Sequence, residues 1–262
     1  MIASELFRKI EKKIPLEIAL KGDKVGFIGP GHPDKVNIEN ILILMDYVVP
    51  GEVHYCQKPK KIVEINYYDF DLLITHHPPI IQPKIPTYVI HSNWDLIEGG
   101  SCDALADILK IEVTDVLDKN TGMGKVGKPI NGPILMENFI NLVMEKLDLD
   151  YLKTLNTSNF SENSNCSTPK IEKIALISGF GLKPEFIRLA HDKGADIFIS
   201  GDLTHPGAIL AKNLGIGIID ATHHATELPG LRRLGTFISD LGMNVEVVDT
   251  CIPWIINFKD YE

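Results

Sequence analysis

Short apolar runs recur along the chain, at Ile41–Met45, Leu72–Ile74, Tyr88–Ile90, Ile174–Ile177, Ile197–Ile199 and Ile216–Ile219. They are continuous rather than alternating. This pattern predicts strands covered on both faces, as in parallel sheets. Segments of helical character, Pro184–Lys193 and Pro206–Asn213, lie between them. Strands alternating with helices predict an α/β architecture. Near the start, Leu6, Phe7, Ile10 and Ile14 fall at helical spacing and predict a surface helix with one buried face.

The order breaks at residues 154–169, TLNTSNFSENSNCSTP, which nearly lack apolar side chains and are expected to form a flexible surface loop. The Gly- and Pro-bearing segment GMGKVGKP marks an expected boundary near Lys125. The expected organisation is one α/β domain of residues 1–124 plus 220–262, and a smaller α/β domain of residues 125–219 that carries the loop.

A chain of 262 residues with 44% apolar residues can bury a proper core. No apolar run reaches the roughly 18–20 residues needed to span a bilayer. The first twenty residues carry charges throughout and do not read as a secretory signal. The net charge of −9 argues against general nucleic-acid binding, although Lys58/Lys60/Lys61 and Arg232/Arg233 are locally basic. Cys56, Cys102, Cys166 and Cys251 are widely spaced and form no CxxC pair. Free thiols in a reducing cytoplasm are expected.

The polar chemistry collects just after the apolar runs. Leu72–Ile74 leads into Thr75-His76-His77-Pro78-Pro79, and Tyr88–Ile90 into His91-Ser92-Asn93-Trp94-Asp95. Ile197–Ile199 leads into Ser200-Gly201-Asp202, with Thr204-His205 after it. Ile216–Ile219 leads into Asp220-Ala221-Thr222-His223-His224-Ala225-Thr226-Glu227. Open parallel sheets bind ligands beyond the carboxyl ends of their strands, and six of the nine histidines fall there. Adjacent residues on a strand face opposite ways. Past a strand end, with Pro78 and Pro79 stiffening the turn, His76 and His77 can share one site. In HSNWD, Asn93 suits a turn that bonds backbone amides, whereas Asp95 suits a carboxylate ligand. His223 and Glu227 share a helix face if the helix starts before them, but Pro229 suggests a bend there or a helix that begins only at Pro229.

His76, His77, Asp95, His223 and Glu227 together offer three imidazoles and two carboxylates. Such donors suit Zn, Mn, Fe, Co or Ni. Five ligands exceed the need of one catalytic ion and suit two divalent ions about 3.5–4 Å apart. His91 and His205 are candidate proton carriers, and Asn93, Asp202 and His224 candidate substrate contacts or supports for the ligands.

The segments DLLITHHPPI, HSNWD, SGD before a helix, and DATHHATE occur in an order that resembles the GTP cyclohydrolase one type two-like family, also called Nif-three-like. DKVGFIG and ILILMD fit that family's opening. The resemblance covers nearly the whole chain. It implies two α/β domains with largely parallel or mixed sheets facing a metal-containing cleft, and a ring-like homohexamer. It carries the ligand role to His76, His77, Asp95, His223 and Glu227. Thr222 and Thr226 stand where the family motif has glycine and serine. No P-loop or Gly-rich phosphate cradle accompanies these motifs.

Three functions compete. The first is a metal-dependent hydrolase acting on a small molecule, with opening of a purine imidazole ring as one case. The second is a ring that holds nucleic acid through Lys58, Lys60, Lys61, Lys125, Lys128, Arg232 and Arg233. The third is a metal-binding scaffold without turnover.

Overall fold

The computed structural model describes residues 1–49, 53–56, 61–155 and 170–254. Lys58, Lys60, Cys166 and residues 156–169 of the expected loop lie outside them. In chain order the elements begin with α1 (Ala3–Lys13), β1 (Gly26–Ile28), β2 (Asn40–Leu44), β3 (Val53–Cys56), β4 (Lys61–Glu64), β5 (Leu72–Thr75), β6 (Thr87–Val89), α2 (Ser92–Leu96) and α3 (Ser101–Ile108). Next come β7 (Ile111–Val116), β8 (Lys125–Pro129), β9 (Ile134–Leu135), α4 (Met136–Lys146), β10 (Lys153–Leu155), β11 (Lys170–Ile171) and β12 (Ile174–Leu176). The last are α5 (Pro184–Asp192), β13 (Ile197–Ser200), α6 (His205–Leu214), β14 (Gly217–Asp220), α7 (His223–Asp240) and β15 (Asn244–Val247). This is the α/β class that the alternation of runs and helices implies.

The chain divides into two units, Met1–His91 with Gly235–Glu262, and Ser92–Leu234. The first holds a five-stranded mixed sheet in the order β1-β6-β5-β2-β15. Its strands β6, β5, β2 and β15 pair in parallel, and β1 is antiparallel to β6. Ile41, Leu42, Ile43 and Leu44 of β2 are all fully buried, as a strand covered on both faces must be. On α1, Leu6, Phe7 and Ile10 form the buried stripe. Phe7 stacks on Tyr88 of β6 at 4.3 Å between ring centroids. Burying each such side chain contributes about 1.5–3 kcal/mol.

The second unit holds a six-stranded mixed sheet in the order β10-β14-β13-β12-β8-β7. β12, β13 and β14 run parallel, joined through α5 and α6. β10 pairs antiparallel with β14, and β8 with both β12 and β7. The GMGKVGKP segment thus includes a central strand. Its Gly127 lies against β7 so closely that a Cβ would meet the Glu112 carbonyl oxygen at 2.5 Å. The core packs Phe139 and Val143 of α4 and Leu105 of α3 with Ile174, Leu176, Ile197, Ile199 and Ile219 of the sheet.

Two local expectations change. α7 begins at His223 and carries Pro229 inside it, so the helix does not begin at the proline. Pro229 removes one backbone bond of an 18-residue helix. Burial of Leu231, Leu234 and Ile238 outweighs that loss. Cys251 is disulfide-bonded rather than free. Among the described residues no helix is long and apolar enough to cross a membrane.

Candidate metal centre

In the first unit, β2, β5 and β6 are parallel neighbours, so their carboxyl ends share one sheet edge. Asp46 follows β2, His76 and His77 follow β5, and His91 follows β6. The β5 pairing continues past the strand, with His76 and His77 amides donating to the Leu44 and Met45 carbonyls at 3.0 and 2.9 Å. The chain then turns at Pro78 and Pro79, and both rings come to one place. Ring centroids lie 5.1 Å apart for His76 and His77, 5.2 Å for His76 and His91, and 5.5 Å for His77 and His91. One ligand nitrogen from each ring lies within 4.8 Å of the others, so this trio can hold a metal ion.

The partners of these rings fix which nitrogen is available. His76 Nδ1 lies 2.9 Å from the Ile90 carbonyl oxygen. A carbonyl only accepts, so Nδ1 is the donor and the neutral ring leaves a lone pair on Nε2. His77 Nδ1 lies 2.8 Å from Asp46 Oδ1, and His91 Nδ1 lies 2.9 Å from both Asp23 oxygens. Each carboxylate holds its ring in the same tautomer.

In the second unit the parallel strands β12, β13 and β14 lead into Ser178-Gly179, Gly201-Asp202 and Ala221-Thr222. His223 opens α7 directly after β14. One turn later Glu227, 3% exposed, places Oε2 3.1 Å from His223 Nε2. His223 Nδ1 meets Asp202 Oδ2 at 2.7 Å. That bond holds the Asp202 carboxyl below the usual carboxylate range, with burial opposing it. Asp202 and Thr222 adopt left-handed backbone, at φ 57° and 65°. For β-branched Thr222 this is a strained conformation that a glycine would adopt without cost. The Thr222 hydroxyl offsets part of the cost by accepting from the Ala225 amide at 3.3 Å, as a helix cap does. The Thr226 hydroxyl accepts from the Gly179 amide at 2.9 Å.

Asp95 lies buried in α2, a short helix rather than an open turn. The Ser178 hydroxyl donates to Asp95 Oδ1 at 3.5 Å and lies 3.3 Å from Cys102 Sγ. Burial, then the Asp95 charge, pushes the Cys102 thiol up to about 11. Asn93 is buried in the same helix. His224 is the second residue of α7 and half-buried, whereas His205 opens α6 and is exposed.

Sequence reasoning missed Asp23, Asp46 and Gly179. Asp46 directly follows an apolar run and obeys the rule that found the histidines. Asp23 has no such signal. Three of the basic residues considered for nucleic acid are already paired: Lys125 with Asp103 at 3.2 Å, Lys128 with Glu112 at 3.3 Å and Arg233 with Asp107 at 2.6 Å.

A sequence profile of the family described as Duf34/NIF3 (NGG1p interacting factor 3) matches residues 79–253. A protein of Methanothermobacter thermautotrophicus named GTP cyclohydrolase 1 type 2 homolog is 36% identical over 95% of this chain and 93% of its own. A protein of the same name from Methanocaldococcus jannaschii is 29% identical over 95% of this chain and 98% of its own. Among solved structures, reduced HcgD from Methanocaldococcus jannaschii aligns with a TM-score of 0.75 at 28% identity, over 95% of this chain and 98% of that one. Staphylococcus aureus SA1388 aligns at 0.77 with 18% identity, over 98% and 99% of the two chains, a likeness of fold. The chain belongs to the DUF34/NIF3 family.

Proposed function

We propose that this protein binds two divalent first-row metal ions through His76, His77, Asp95, His223 and Glu227, and acts as a metal-dependent hydrolase. The observation that carries the reading is the uniform engagement of Nδ1. On His76, His77 and His223 that atom meets a carbonyl or carboxylate oxygen at 2.7–2.9 Å. Metal-binding histidines are oriented in this way, by a partner that fixes the tautomer and raises the basicity of the other nitrogen. The donor set, imidazole nitrogens and carboxylate oxygens without a thiolate, fits borderline first-row ions.

Bound ions of this kind supply Lewis-acid polarisation and activation of water near neutral pH. The chain's own residues supply position. Asp46 and Asp202 hold His77 and His223, and the Ile90 carbonyl holds His76. His91, fixed through Nδ1 by Asp23, presents Nε2 to carry a proton to or from the reacting group. The name of the archaeal relatives suggests GTP, opened hydrolytically at its imidazole ring, as the first substrate to try.

Chelator-stripped protein is expected to lack hydrolase turnover on a panel headed by GTP, and to regain it with Mn²⁺ or Zn²⁺. Glu227→Ala is expected to lose it under both conditions. Turnover that survives chelation, or that Glu227→Ala leaves intact, would contradict the reading.

A further inference from the structure

The loop from Ser178 to Lys183 is fixed at every turn. The Gly179 amide donates to Thr226 Oγ1 at 2.9 Å, and its carbonyl accepts from the Gly201 amide at 2.7 Å. The Gly181 amide donates to Ser200 Oγ at 2.8 Å, and its carbonyl accepts from the Lys183 amide at 2.8 Å. Gly179, Gly181 and Leu182 are buried, yet Phe180 among them is only half-buried. A single half-exposed apolar side chain is ordinary in itself; what distinguishes Phe180 is where its ring stands. Its ring centroid lies 6.2 Å from that of His223, tilted by 32°. Lys183 Nζ lies 4.0 Å from the Phe180 centroid. Among the described residues Lys183 forms no ion pair.

We infer that Phe180 and Lys183 form a recognition platform for a planar aromatic substrate that bears an anionic group. Phe180 stacks on the substrate's ring, and Lys183 meets its phosphate or carboxylate. This rests on the proposed function, because it places the substrate beside His223. A cation over an aromatic face at a partly exposed site is held weakly. A guest ring can therefore exchange with the ammonium, which turns on its flexible stem towards the guest's negative group. The rigid backbone on both sides of Phe180 keeps the ring in place for this exchange at little entropic cost.

The test uses the full chain and three probes, GTP, guanosine and inorganic triphosphate, with affinities read by calorimetry. Phe180→Ala is expected to weaken GTP and guanosine about 5- to 100-fold, the range for loss of one stacking partner, and to leave triphosphate unchanged. Phe180→Tyr keeps a ring and is expected to restore both, which separates lost stacking from a damaged loop. Lys183→Met is expected to weaken GTP and triphosphate, more so at low salt, and to leave guanosine unchanged. Metal content measured on the same samples separates the two claims. Metal-loaded protein that binds no GTP, or binds it equally in all variants, overturns the platform. Metal-free protein that keeps the pattern supports the platform and overturns the metal reading.

Discussion

Gly179→Ala is expected to cost the protein both stability and metal. Gly179 adopts φ +79°, where any side chain is strained, and a Cβ there would stand 2.1 Å from Glu227 Oε1 and 3.3 Å from His223 Nε2. The backbone cannot yield easily, because its amide and carbonyl are both bonded. The Glu227 carboxylate is the flexible partner, so it turns away from His223. The left-handed strain alone costs about 1–3 kcal/mol. For a chain of this size that lowers Tm by about 2–12 °C. Metal content should fall to the level of Glu227→Ala. A Gly179→Ala protein with wild-type melting and metal content would refute the account of this glycine as the space in which the His223–Glu227 pair is held.

Asp220→Ala is the second large effect. Asp220, 2% exposed, accepts from Lys153 Nζ at 2.8 Å, the Leu203 amide at 3.3 Å and the Thr222 amide at 3.1 Å. It thereby ties the Asp202 loop to the strained turn that aims His223. Removal leaves two amides without their acceptor, at a cost of about 2–4 kcal/mol. Thermal melting should show it, and Asp220→Asn should recover part. The pair with Lys153 adds a pH signature. The bond to Asp220 raises the Lys153 pKa above its usual 10.5, with burial opposing. A raised folded pKa gives stability that is whole below pH 10.5 and fades as pH rises past it. The difference between wild type and Asp220→Ala should therefore be flat through neutral pH and shrink above that value. A melting temperature unchanged by Asp220→Ala would show that the turn is held by other means.

Much of this fold is legible in the apolar runs. Ile174–Ile177 becomes β12, Ile197–Ile199 becomes β13, and Ile216–Ile219 becomes β14, each within a residue or so. Buried parallel strands leave an unbroken apolar signature because both faces are covered. Strands β7 and β10 leave none, since their residues are mostly exposed or half-exposed. β8 is hidden by Gly127 and Pro129, and the reason for the glycine, close approach to Glu112, is tertiary. The same division holds at the site. His76, His77 and His223 are visible because they interrupt apolar runs at strand ends. Their partners are less so: Asp23 is 68 residues from His91, and Asp202 is 21 residues from His223. Gly179 carries no chemical signal, because its role is to leave space. Pro229 misleads because local propensity yields to the burial of the helix around it.

The most direct test of the metal centre is the metal content of protein purified without chelators or a His-tag, compared with His76→Ala and Glu227→Ala. The expected result is about two first-row ions per chain in the wild type, with a clear loss in both variants. Protein that holds no metal, even after exposure to Mn²⁺ or Zn²⁺, would contradict it.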